Sequence, residues 1–330
     1  MKRIIENSRV LVTGGAGFIG SNLVDALLSQ DNEVTVIDNF STGKPGNLAH
    51  VLNHPRFELV VGDIRNLDDC HKACDGVEYV MHQAALGSVP RSINDPITSN
   101  AVNVGGFVNM LVAARDANVK RMTYAASSST YGDHPGLPKV EDCIGKPLSP
   151  YAVTKYVNEI YADVFSKTYG MELIGLRYFN VFGQRQDPFG AYAAVIPKFV
   201  ISLMKHEAPI INGDGKHSRD FTYIDNVVQA NQLGLLADNQ DAVNQVYNVA
   251  CGDNTDLNTL FSELQRLLSM FDADIAKISP IYGPERVGDV KHSLASIQKA
   301  QEKLGYQPTH NFTQGIEQCV KWYWDNLDVA

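Results

Sequence analysis

The chain has 330 residues, of which 44% are hydrophobic, and this is enough for one large core or for two domains that share an interface. Its 37 acidic residues outnumber its 28 basic residues, giving a formal net charge of −9, which disfavours a nucleic-acid-binding protein because such proteins carry a basic face. An acidic protein that binds an anionic ligand must instead concentrate a few arginines at one place.

The amino-terminal stretch and the cysteines bear on cellular location. The sequence begins MKRIIENSRVLVTGG, where charged residues give way to a short strand and not to the apolar core of a signal peptide. No apolar run in the sequence predicts a membrane span. The cysteine count is odd, the spacings are wide, and no second close pair completes a zinc site. We expect a cytoplasmic protein without membrane association, whose cysteines are reduced and bind no metal: Cys70, Cys74, Cys143, Cys251 and Cys319.

Short β-rich runs alternate with helical stretches through the first half of the chain. The runs are RVLVTGG, EVTVIDN, FELVVGDI, VEYVMHQAA, RMTYAAS and ELIGLRYFN, and stretches such as SNLVDALLSQ and VGGFVNMLVAARDANV lie between them. Apolar strands that alternate with helices are typical of a parallel sheet covered on both faces. Because the crossovers are right-handed, the pattern predicts a Rossmann-type, doubly wound α/β fold, to which QVYNVA adds a later strand.

The pattern changes after about Asn180. The next stretch is rich in loops, Pro, Gly and charge, and the part of the chain from about Gly252 mixes helices with loops. We therefore predict a smaller, mixed α/β substrate-binding lobe made of residues 180–219 and 252–330, and a nucleotide-binding domain made of residues 1–179 and 220–251.

A glycine-rich turn lies in the first predicted strand–turn–helix unit, VLVTGGAGFIGSNLVDALL. Two overlapping registers fit the dinucleotide fingerprint, one with Gly15, Gly17 and Gly20 and the other with Gly14, Gly17 and Gly20. The glycines let backbone N–H groups approach a pyrophosphate, and the helix N-terminus favours its negative charge. This context favours a nucleotide site over a tight turn without a ligand.

Acidic residues end the second and third predicted strands. Asp38 follows the glycine turn by about 20 residues, where an acid binds the adenosine ribose, and its charge favours NAD over NADP because it repels a 2′-phosphate. Asp63 lies in VVGDI, and it either binds the adenine or caps the helix that follows.

Tyr151 and Lys155 in SPYAVTKYVNE share one helix face because they lie four residues apart. A tyrosine, with a pKa of about 10, is a poor base at neutral pH. A nearby ammonium group and an oxidised nicotinamide both favour the phenolate, so that Tyr151 can accept a proton from an alcohol while hydride goes to NAD. The alternative is an ordinary amphipathic helix face.

The motifs TGGAGFIGSNL, HQAA, SPYAVTK, LRYFNVFG and RDFTYIDNV together resemble the extended short-chain dehydrogenases/reductases, in the nucleotide-sugar epimerase and dehydratase branch. The resemblance covers nearly the whole chain. It implies a catalytic Ser or Thr four residues before a Tyr-Gly pair, which selects Ser127 before Tyr131-Gly132. The Ser127 hydroxyl would relay a proton between the sugar O4 and Tyr151.

The resemblance also implies further contacts with NAD, each of which has packing or a turn as its alternative. Together with the catalytic pair Tyr151 and Lys155, the expected cofactor-binding residues are Gly14, Gly17, Phe18, Ile19, Gly20, Asp38, Asn39, Phe40, Ser41, Thr42, Gly43, Asp63, Ile64, Gln83, Ala84, Ala85, Asn103, Tyr178 and Phe179.

The branch contains epimerases, dehydratases, decarboxylases and reductases, which can all begin with oxidation at C4 of the sugar. Dehydratase relatives carry Asp and Glu after the catalytic hydroxyl residue, whereas Ser128 and Ser129 follow Ser127 here. Serine cannot replace those carboxylates at neutral pH, so we expect a 4-epimerase. Ser129 is expected to face the sugar, and Ser128 either supports the relay or fills the loop.

The epimerase interpretation needs a firm anchor on the nucleotide of a UDP-sugar and a roomy sugar pocket. A bulky tyrosine of galactose-restricted relatives is replaced by Ser293, and Gly87 also leaves space, so the sequence resembles epimerases that prefer UDP-N-acetylglucosamine and UDP-N-acetylgalactosamine. A uronate paired with Arg91 is a weaker option. By resemblance the expected substrate-binding residues are Gly87, Ser88, Ser127, Ser128, Ser129, Asn180, Ala194, Val195, Ile210, Asn212, Arg219, Arg286, Asp289 and Ser293.

The alternatives are a UDP-glucose/UDP-galactose or UDP-glucuronate 4-epimerase and, from another class, a non-catalytic NAD-sensing protein. Two helices, VGGFVNMLVAARDA and VTKYVNEIYADVFSKTYG, carry apolar stripes that relatives pair across a two-fold axis. We therefore expect a homodimer through a helix bundle, with the alternative that both stripes only face the sheet. Supply of sugar precursors for polysaccharide biosynthesis is the expected role.

Overall fold

The computed structural model describes residues 3–189, 193–285 and 291–327. Its strands are β1 (Arg9–Thr13), β2 (Glu33–Asp38), β3 (Phe57–Val61), β4 (Tyr79–His82), β5 (Arg121–Ser127), β6 (Leu173–Tyr178), β7 (Val181–Phe182), β8 (Ile210–Asn212), β9 (Ser218–Arg219), β10 (Thr222–Tyr223), β11 (Gln245–Val249), β12 (Thr255–Asp256) and β13 (Ile281–Gly283). Its α-helices are α1 (Phe18–Leu28), α2 (Leu67–Cys74), α3 (Val89–Asn94), α4 (Pro96–Asn100), α5 (Phe107–Asp116), α6 (Pro150–Tyr169), α7 (Val195–Met204), α8 (Ile224–Leu235), α9 (Leu257–Leu268), α10 (Gln298–Leu304) and α11 (Phe312–Asn326).

A seven-stranded parallel sheet organises the described part of the chain, with the strand order β11-β6-β5-β4-β1-β2-β3. Each strand comes from one of the seven β-rich runs predicted from the sequence, and helices lie between them in the chain. The order reverses at β1 and β4, which is the switch point where doubly wound folds bind nucleotides at the carboxyl ends of their strands. The predicted Rossmann-type fold is confirmed.

Successive side chains of a strand point to opposite faces of the sheet, and a hydrophobic core covers each face. In β1, Leu11 belongs to the core under α2 and α5, whereas Val12 belongs to the core under α1. Both side chains are fully buried. Burial of each such side chain contributes roughly 1.5–3 kcal/mol, which explains why the strands are continuous apolar runs.

Three two-stranded sheets and the helices α7, α9, α10 and α11 form a second group of elements in the described residues. The pairs are β7 with β10, β8 with β13, and β9 with β12, of which only the last is antiparallel. Side chains of α7, α9, α10 and α11 pack in one core with those of β6 and β11. This core runs continuously from the sheet into the smaller part of the structure, and the proposed domain boundaries stay a prediction.

The helical run over residues 96–116 is longer than the sequence pattern indicated, because α4 and α5 are joined by a π-helical turn, Ala101–Gly106. Its 21 residues and a mean hydropathy of 1.2 match a membrane span by length and composition alone. However, Phe107, Met110 and Leu111 are fully buried in the core beneath the sheet. The apolar stripe of α5 is thus accounted for by packing within the chain.

Candidate active site

The carboxyl end of β5 and the first turns of α6 bring the three predicted catalytic residues together. Ser127 ends β5, and Tyr151 and Lys155 lie one turn apart in α6. The Ser127 hydroxyl interacts with the Tyr151 phenol and lowers its pKa, and Nζ of Lys155 donates to the carbonyl oxygen of Ala125 at 2.8 Å. The end of β5 and the first turns of α6 therefore meet around the Tyr151 phenol.

The start of α6 is determined locally. Ser149 is the N-cap residue, and its Oγ accepts a hydrogen bond from the N–H of Ala152 at 3.1 Å, while Pro150 occupies the first helical position. The N–H of Tyr151, which has no partner within the helix, donates to Oγ of Ser92 at 3.0 Å. The helix therefore begins at a defined residue, which orients Tyr151 towards Ser127.

Burial acts in opposite directions on the catalytic tyrosine and lysine. It raises the pKa of Tyr151, and the hydrogen bond with Ser127 lowers that pKa. For Lys155, burial lowers the pKa from 10.5 to about 8, and the carboxylate of Glu159 acts against this shift. Glu159 is itself buried and paired with Arg177 at 2.8 Å. Lys155 therefore stays mostly protonated at neutral pH and presents a positive charge on the helix face that carries Tyr151.

The glycine turn between β1 and α1 is tight at two positions. Gly14 has φ +68°, and a Cβ there would lie 2.9 Å from the backbone of Ala84. A Cβ at Gly20 would lie 2.1 Å from the carbonyl oxygen of Gly14, so this helix position must be glycine for α1 to pack on the turn. Gly17 is the N-cap residue of α1 and no side chain caps this end, so N–H groups of the first helical turn remain available for a pyrophosphate.

Asp38 and Asp63 have different environments at the ends of β2 and β3. Both oxygens of Asp38 accept backbone hydrogen bonds, from Ala16 at 2.9 Å and Phe40 at 2.8 Å, although burial raises its pKa overall. Asp63 accepts a bond from the Arg65 guanidinium at 2.6 Å, which lowers its pKa to about 2. The N-cap residue of α2 is Asn66, so Asp63 does not cap that helix.

Many of the predicted cofactor contacts line one cleft at the carboxyl ends of the strands, together with Ile37, Gly62, Leu86 and Val102. Carboxylate, amide and hydroxyl groups at this position fit the ribose and adenine of a dinucleotide. The predicted residues in this cleft are Gly14, Asp38, Asn39, Ser41, Thr42, Asp63, Ile64, Ala84 and Ala85.

Other predicted cofactor residues lie beside this cleft or below it. Phe18 and Ile19 begin α1 and pack against the hydrophobic core. Phe40 packs partly against the core next to α1, and a Cβ at Gly43 would lie 2.8 Å from that of Ala16. Phe179 is completely buried against Tyr131, so its ring is a packing element and only its backbone remains for a ligand.

The π-helical turn positions Asn103, which is buried and acts on the cleft through another residue. Its Oδ1 accepts from the N–H of Leu86 at 2.7 Å, and its Nδ2 donates to the Leu86 carbonyl oxygen and to Oγ1 of Thr154, each at 3.1 Å. The side chain predicted to bind NAD thus holds the cleft-lining segment after β4 against α6. Single π-helical turns within α-helices are frequent at functional sites for this kind of reason.

A buried polar network lies under the cleft, and only some of its residues were predicted from the sequence. Tyr178 and Gln83, which were predicted, bond to each other at 3.1 Å, and both bond to Asn231 of α8. Thr13 accepts the N–H groups of Gln83 and Ala84, at 3.1 and 3.0 Å. Thr13 could have been selected because it is a polar residue at the carboxyl end of a buried strand. No local sequence feature of α8 indicates that Asn231 belongs to the site.

A second cleft, with a volume of about 760 Å³, lies between α7 and the short strands β7, β8 and β9. It is lined by residues predicted for the nucleotide of the substrate, and also by His217, Lys198 and Phe221. His217, two residues before the predicted Arg219, was not selected from the sequence. The predicted residues here are Asn180, Ala194, Val195, Ile210, Asn212 and Arg219.

Arg219 is held in place by backbone carbonyl groups. Its Nη1 donates to the oxygens of Ser218 and Lys291, at 3.0 and 3.3 Å, and the N–H of Ser293 donates to Ser218 at 3.1 Å. The adjacent Asp220 is buried and accepts backbone N–H groups of Cys251, Gly252 and Ala295, tying these segments together. The predicted anchors Arg286 and Asp289 lie outside the described residues.

The predicted sugar-facing residues lie in two turns. A Cβ at Gly87 would meet no atom within 4 Å, whereas Ser88 caps α3 by accepting the N–H of Arg91 at 3.3 Å. Ser128 and Ser129 begin a 3-10 helix, Ser128–Tyr131, for which Ser127 is the N-cap. Among residues 3–189, 193–285 and 291–327, no three His, Cys, Asp or Glu side chains are grouped to hold a metal ion.

Comparison with known proteins agrees with this geometry. The model of the NAD dependent epimerase/dehydratase family matches residues 10–250. The chain is 39% identical to UDP-N-acetylglucosamine 4-epimerase from Methanobrevibacter ruminantium M1 in complex with UDP-N-acetylmuramic acid, with a TM-score of 0.91 and coverage of 98% of this chain and 100% of that one. It is 35% identical to UDP-glucose 4-epimerase of Mycolicibacterium smegmatis over 96% of this chain and 98% of that protein.

UDP-glucuronic acid 4-epimerase from Bacillus cereus, in complex with UDP-glucuronic acid and NAD, is 29% identical, with a TM-score of 0.86 and coverage of 97% of this chain and 100% of that one. These matches confirm the resemblance found in the sequence and NAD as the cofactor. The chain belongs to the NAD dependent epimerase/dehydratase family.

Proposed function

We propose that this member of the family is a UDP-sugar 4-epimerase whose preferred substrates are UDP-N-acetylglucosamine and UDP-N-acetylgalactosamine. The observation that carries the proposal is the joined arrangement of Ser127, Tyr151 and Lys155 at the carboxyl edge of the sheet. One cleft there suits NAD, and the other has the volume and the arginine that a uridine diphosphate needs.

The chain's own residues divide the work of the reaction. Tyr151 acts as the general base for the sugar 4-hydroxyl, assisted by its hydrogen bond with Ser127 and the charge of Lys155. Bound NAD would supply the reversible hydride acceptor for C4, so the reaction would have no net redox change. Arg219 holds the nucleotide while the 4-keto sugar turns over between the two transfers. Tyr151 then returns the proton to the inverted alcohol.

The turn after β5 favours epimerisation over elimination of water. Its described residues, 127–131, carry hydroxyl groups and no carboxylate. A dehydratase must remove the C5 proton and protonate the departing hydroxyl, and a serine hydroxyl is too weak an acid and base for both steps at neutral pH. The 4-keto sugar therefore has one outcome, which is reduction on either face.

Space supports the preference for an N-acetyl group. The Cα of Gly87 faces open space, and Ser293 is a small residue beside Arg219. A uronate paired with Arg91 stays the weaker option.

Incubation of the purified, NAD-loaded protein with UDP-N-acetylglucosamine and no added NAD tests the proposal. We expect UDP-N-acetylgalactosamine to form, and to form faster than the products from UDP-glucose and UDP-glucuronate. Tyr151→Phe should abolish turnover without unfolding, whereas Tyr156→Phe, on the same helix, should retain it. A loaded protein that converts UDP-glucose or UDP-glucuronate faster would refute the substrate preference, and an active Tyr151→Phe would refute the mechanism.

We also propose a homodimer, because α6 exposes an apolar face next to α3 and α4. Val153, Ile160 and Val164 are about half exposed, and Ile97 of α4 is 82% exposed. A second copy would cover these side chains around a two-fold axis. Val164→Glu should convert the dimer to a monomer in sedimentation analysis, and a wild-type chain that sediments as a monomer would refute the proposed dimer.

A cytoplasmic location is proposed because the five cysteines are free.

A further inference from the structure

The hydroxyl of Ser127 lies at the centre of a small set of hydrogen bonds within its own turn. Its Oγ accepts the N–H of Ser129 at 3.1 Å and the hydroxyl of the same Ser129 at 2.8 Å. Oγ1 of Thr130 donates to the Ser127 carbonyl oxygen at 2.8 Å, which closes the turn around that residue. Ser127 is 8% exposed, so water has little access to these groups.

A serine hydroxyl has one proton to donate and two lone pairs with which to accept. In the turn after β5, Ser129 occupies both lone pairs of Ser127. The proton of Ser127 is therefore the part of this hydroxyl that is left for the Tyr151 phenol, and Ser127 lowers the pKa of that phenol, as a donor does. A donor to the phenol oxygen stabilises the phenolate, whereas an acceptor would stabilise the protonated phenol.

We infer that Ser129 is a positioning residue whose hydroxyl fixes Ser127 as a hydrogen-bond donor to the Tyr151 oxygen and so keeps Tyr151 ready to act as a base. The inference deepens the proposed function and rests on it. Ser129 acts through Ser127, unlike the sugar-facing role that the sequence predicted for it.

The arrangement also bears on the path of the proton. A relay through Ser127 requires a free lone pair on that residue for the sugar hydroxyl, and Ser129 occupies both. The proton of the 4-hydroxyl therefore passes directly to Tyr151, whose O–H bond forms as the sugar O–H bond breaks. Ser127 keeps its own proton throughout, and the hydrogen bonds of the turn reinforce one another because they form one chain.

Removing the Ser129 hydroxyl should free one lone pair of Ser127, which can then accept a bond from the protonated phenol. Loss of one hydrogen bond of this kind should raise the midpoint of Tyr151 ionisation by about one pH unit. Below that midpoint the phenolate fraction and kcat fall about 10-fold, and kcat recovers as the pH is raised. The KM for the UDP-sugar should not change, because in this role Ser129 acts only through Ser127.

Titration of the NAD-loaded protein by tyrosinate absorbance measures this midpoint. The chain has 14 tyrosines, so the signal of Tyr151 is taken as the difference between each protein and its Tyr151→Phe counterpart. Ser129→Ala should shift the midpoint upwards and lower kcat at neutral pH. Ser129→Thr, which keeps the hydroxyl, should restore both, and Ser29→Ala, which removes a hydroxyl at the end of α1, should leave the midpoint where it is in the wild type.

An unchanged midpoint in Ser129→Ala would overturn the inference, and so would a raised KM at full kcat, which would place the hydroxyl on the sugar. The titration needs no substrate. A wild type that epimerises no UDP-sugar would therefore refute the proposed function, while the shift in Ser129→Ala would still decide the role of Ser129.

Discussion

Replacement of Lys155 by methionine should stabilise the fold at neutral pH while it removes the catalytic ammonium group. The Lys155 side chain is buried, and burial lowers its pKa from 10.5 to about 8. At 1.36 kcal/mol for each pH unit, this difference corresponds to a cost of roughly 3 kcal/mol for the charged form in the folded state. Loss of the bond to the Ala125 carbonyl costs about 1–2 kcal/mol, so the net gain should be about 1–2 kcal/mol near pH 7.

The pH dependence of this difference follows from proton binding by the folded and unfolded states. Between pH 8 and 10.5 the folded state binds fewer protons at Lys155 than the unfolded state, so wild-type stability from this group rises with pH. The cost is complete below about pH 8 and disappears as the unfolded lysine loses its proton. The advantage of Lys155→Met should therefore shrink by roughly 3 kcal/mol across this interval, and methionine should become the less stable variant.

Thermal unfolding of both NAD-loaded proteins from about pH 7 to about pH 10 measures the effect. For 330 residues, 3 kcal/mol corresponds to a change of about 4 °C in the Tm difference. A weaker affinity for NAD in Lys155→Met moves the whole difference but leaves its dependence on pH unchanged. A Tm difference that is constant over this range would refute the assignment of Lys155 as a costly buried charge.

Further predictions concern the glycine turn, the nucleotide anchor and the buried ion pair. Gly14→Ala should lose bound NAD and lower the Tm, because Gly14 has a φ of +68° and a Cβ there would lie 2.9 Å from the Ala84 backbone. Gly46→Ala is the control, since a Cβ there meets no atom within 4 Å, and it should change neither property. Cofactor content and calorimetry measure the two effects. Arg219→Ala should raise the KM for a UDP-sugar roughly 10–100-fold at nearly constant kcat, and a selective loss of kcat would contradict its role as an anchor. Glu159→Ala should destabilise the fold by about 3–5 kcal/mol, because Arg177 is left buried without its partner, and denaturant unfolding that changes by less than about 1 kcal/mol would count against this.

The local elements of the fold were accessible from the sequence. Each of the seven predicted runs became a strand, because continuous apolar residues bounded by Gly or polar residues suit a strand buried on both faces. The glycine turn and the start of α6 could also be predicted from the sequence. The conformation of Gly14, the close approach of Gly20 to Gly14 and the Ser149–Pro150 cap all involve residues near in the chain. The stretch VGGFVNMLVAARDANV covers only part of the helical run over residues 96–116, which begins before it and includes a π-helical turn.

The sequence predicted which residues belong to the site better than it predicted what each side chain contacts. Asn103 and Phe179 were both expected to bind NAD, and those contacts stay a prediction; in the structure one side chain supports Leu86 and the other is buried against Tyr131. Asn231, which completes the network under the cleft, has no local signature because its partners come from distant strands. Residue type and spacing do not determine which of two nearby groups a side chain contacts.

By itself the sequence determined the strand–turn–helix unit for NAD, the Tyr151–Lys155 pair and the absence of acids after Ser127, because each depends on residues close together in the chain. Only the tertiary structure decided that Ser129 bonds to Ser127, that Asn103 reaches Thr154 across 51 residues, and that the residues near Arg219 form one cleft with Asn180. These contacts depend on how β5, α6 and the short strands pack. That packing is set by burial of the whole core, to which every segment contributes and which no single segment specifies.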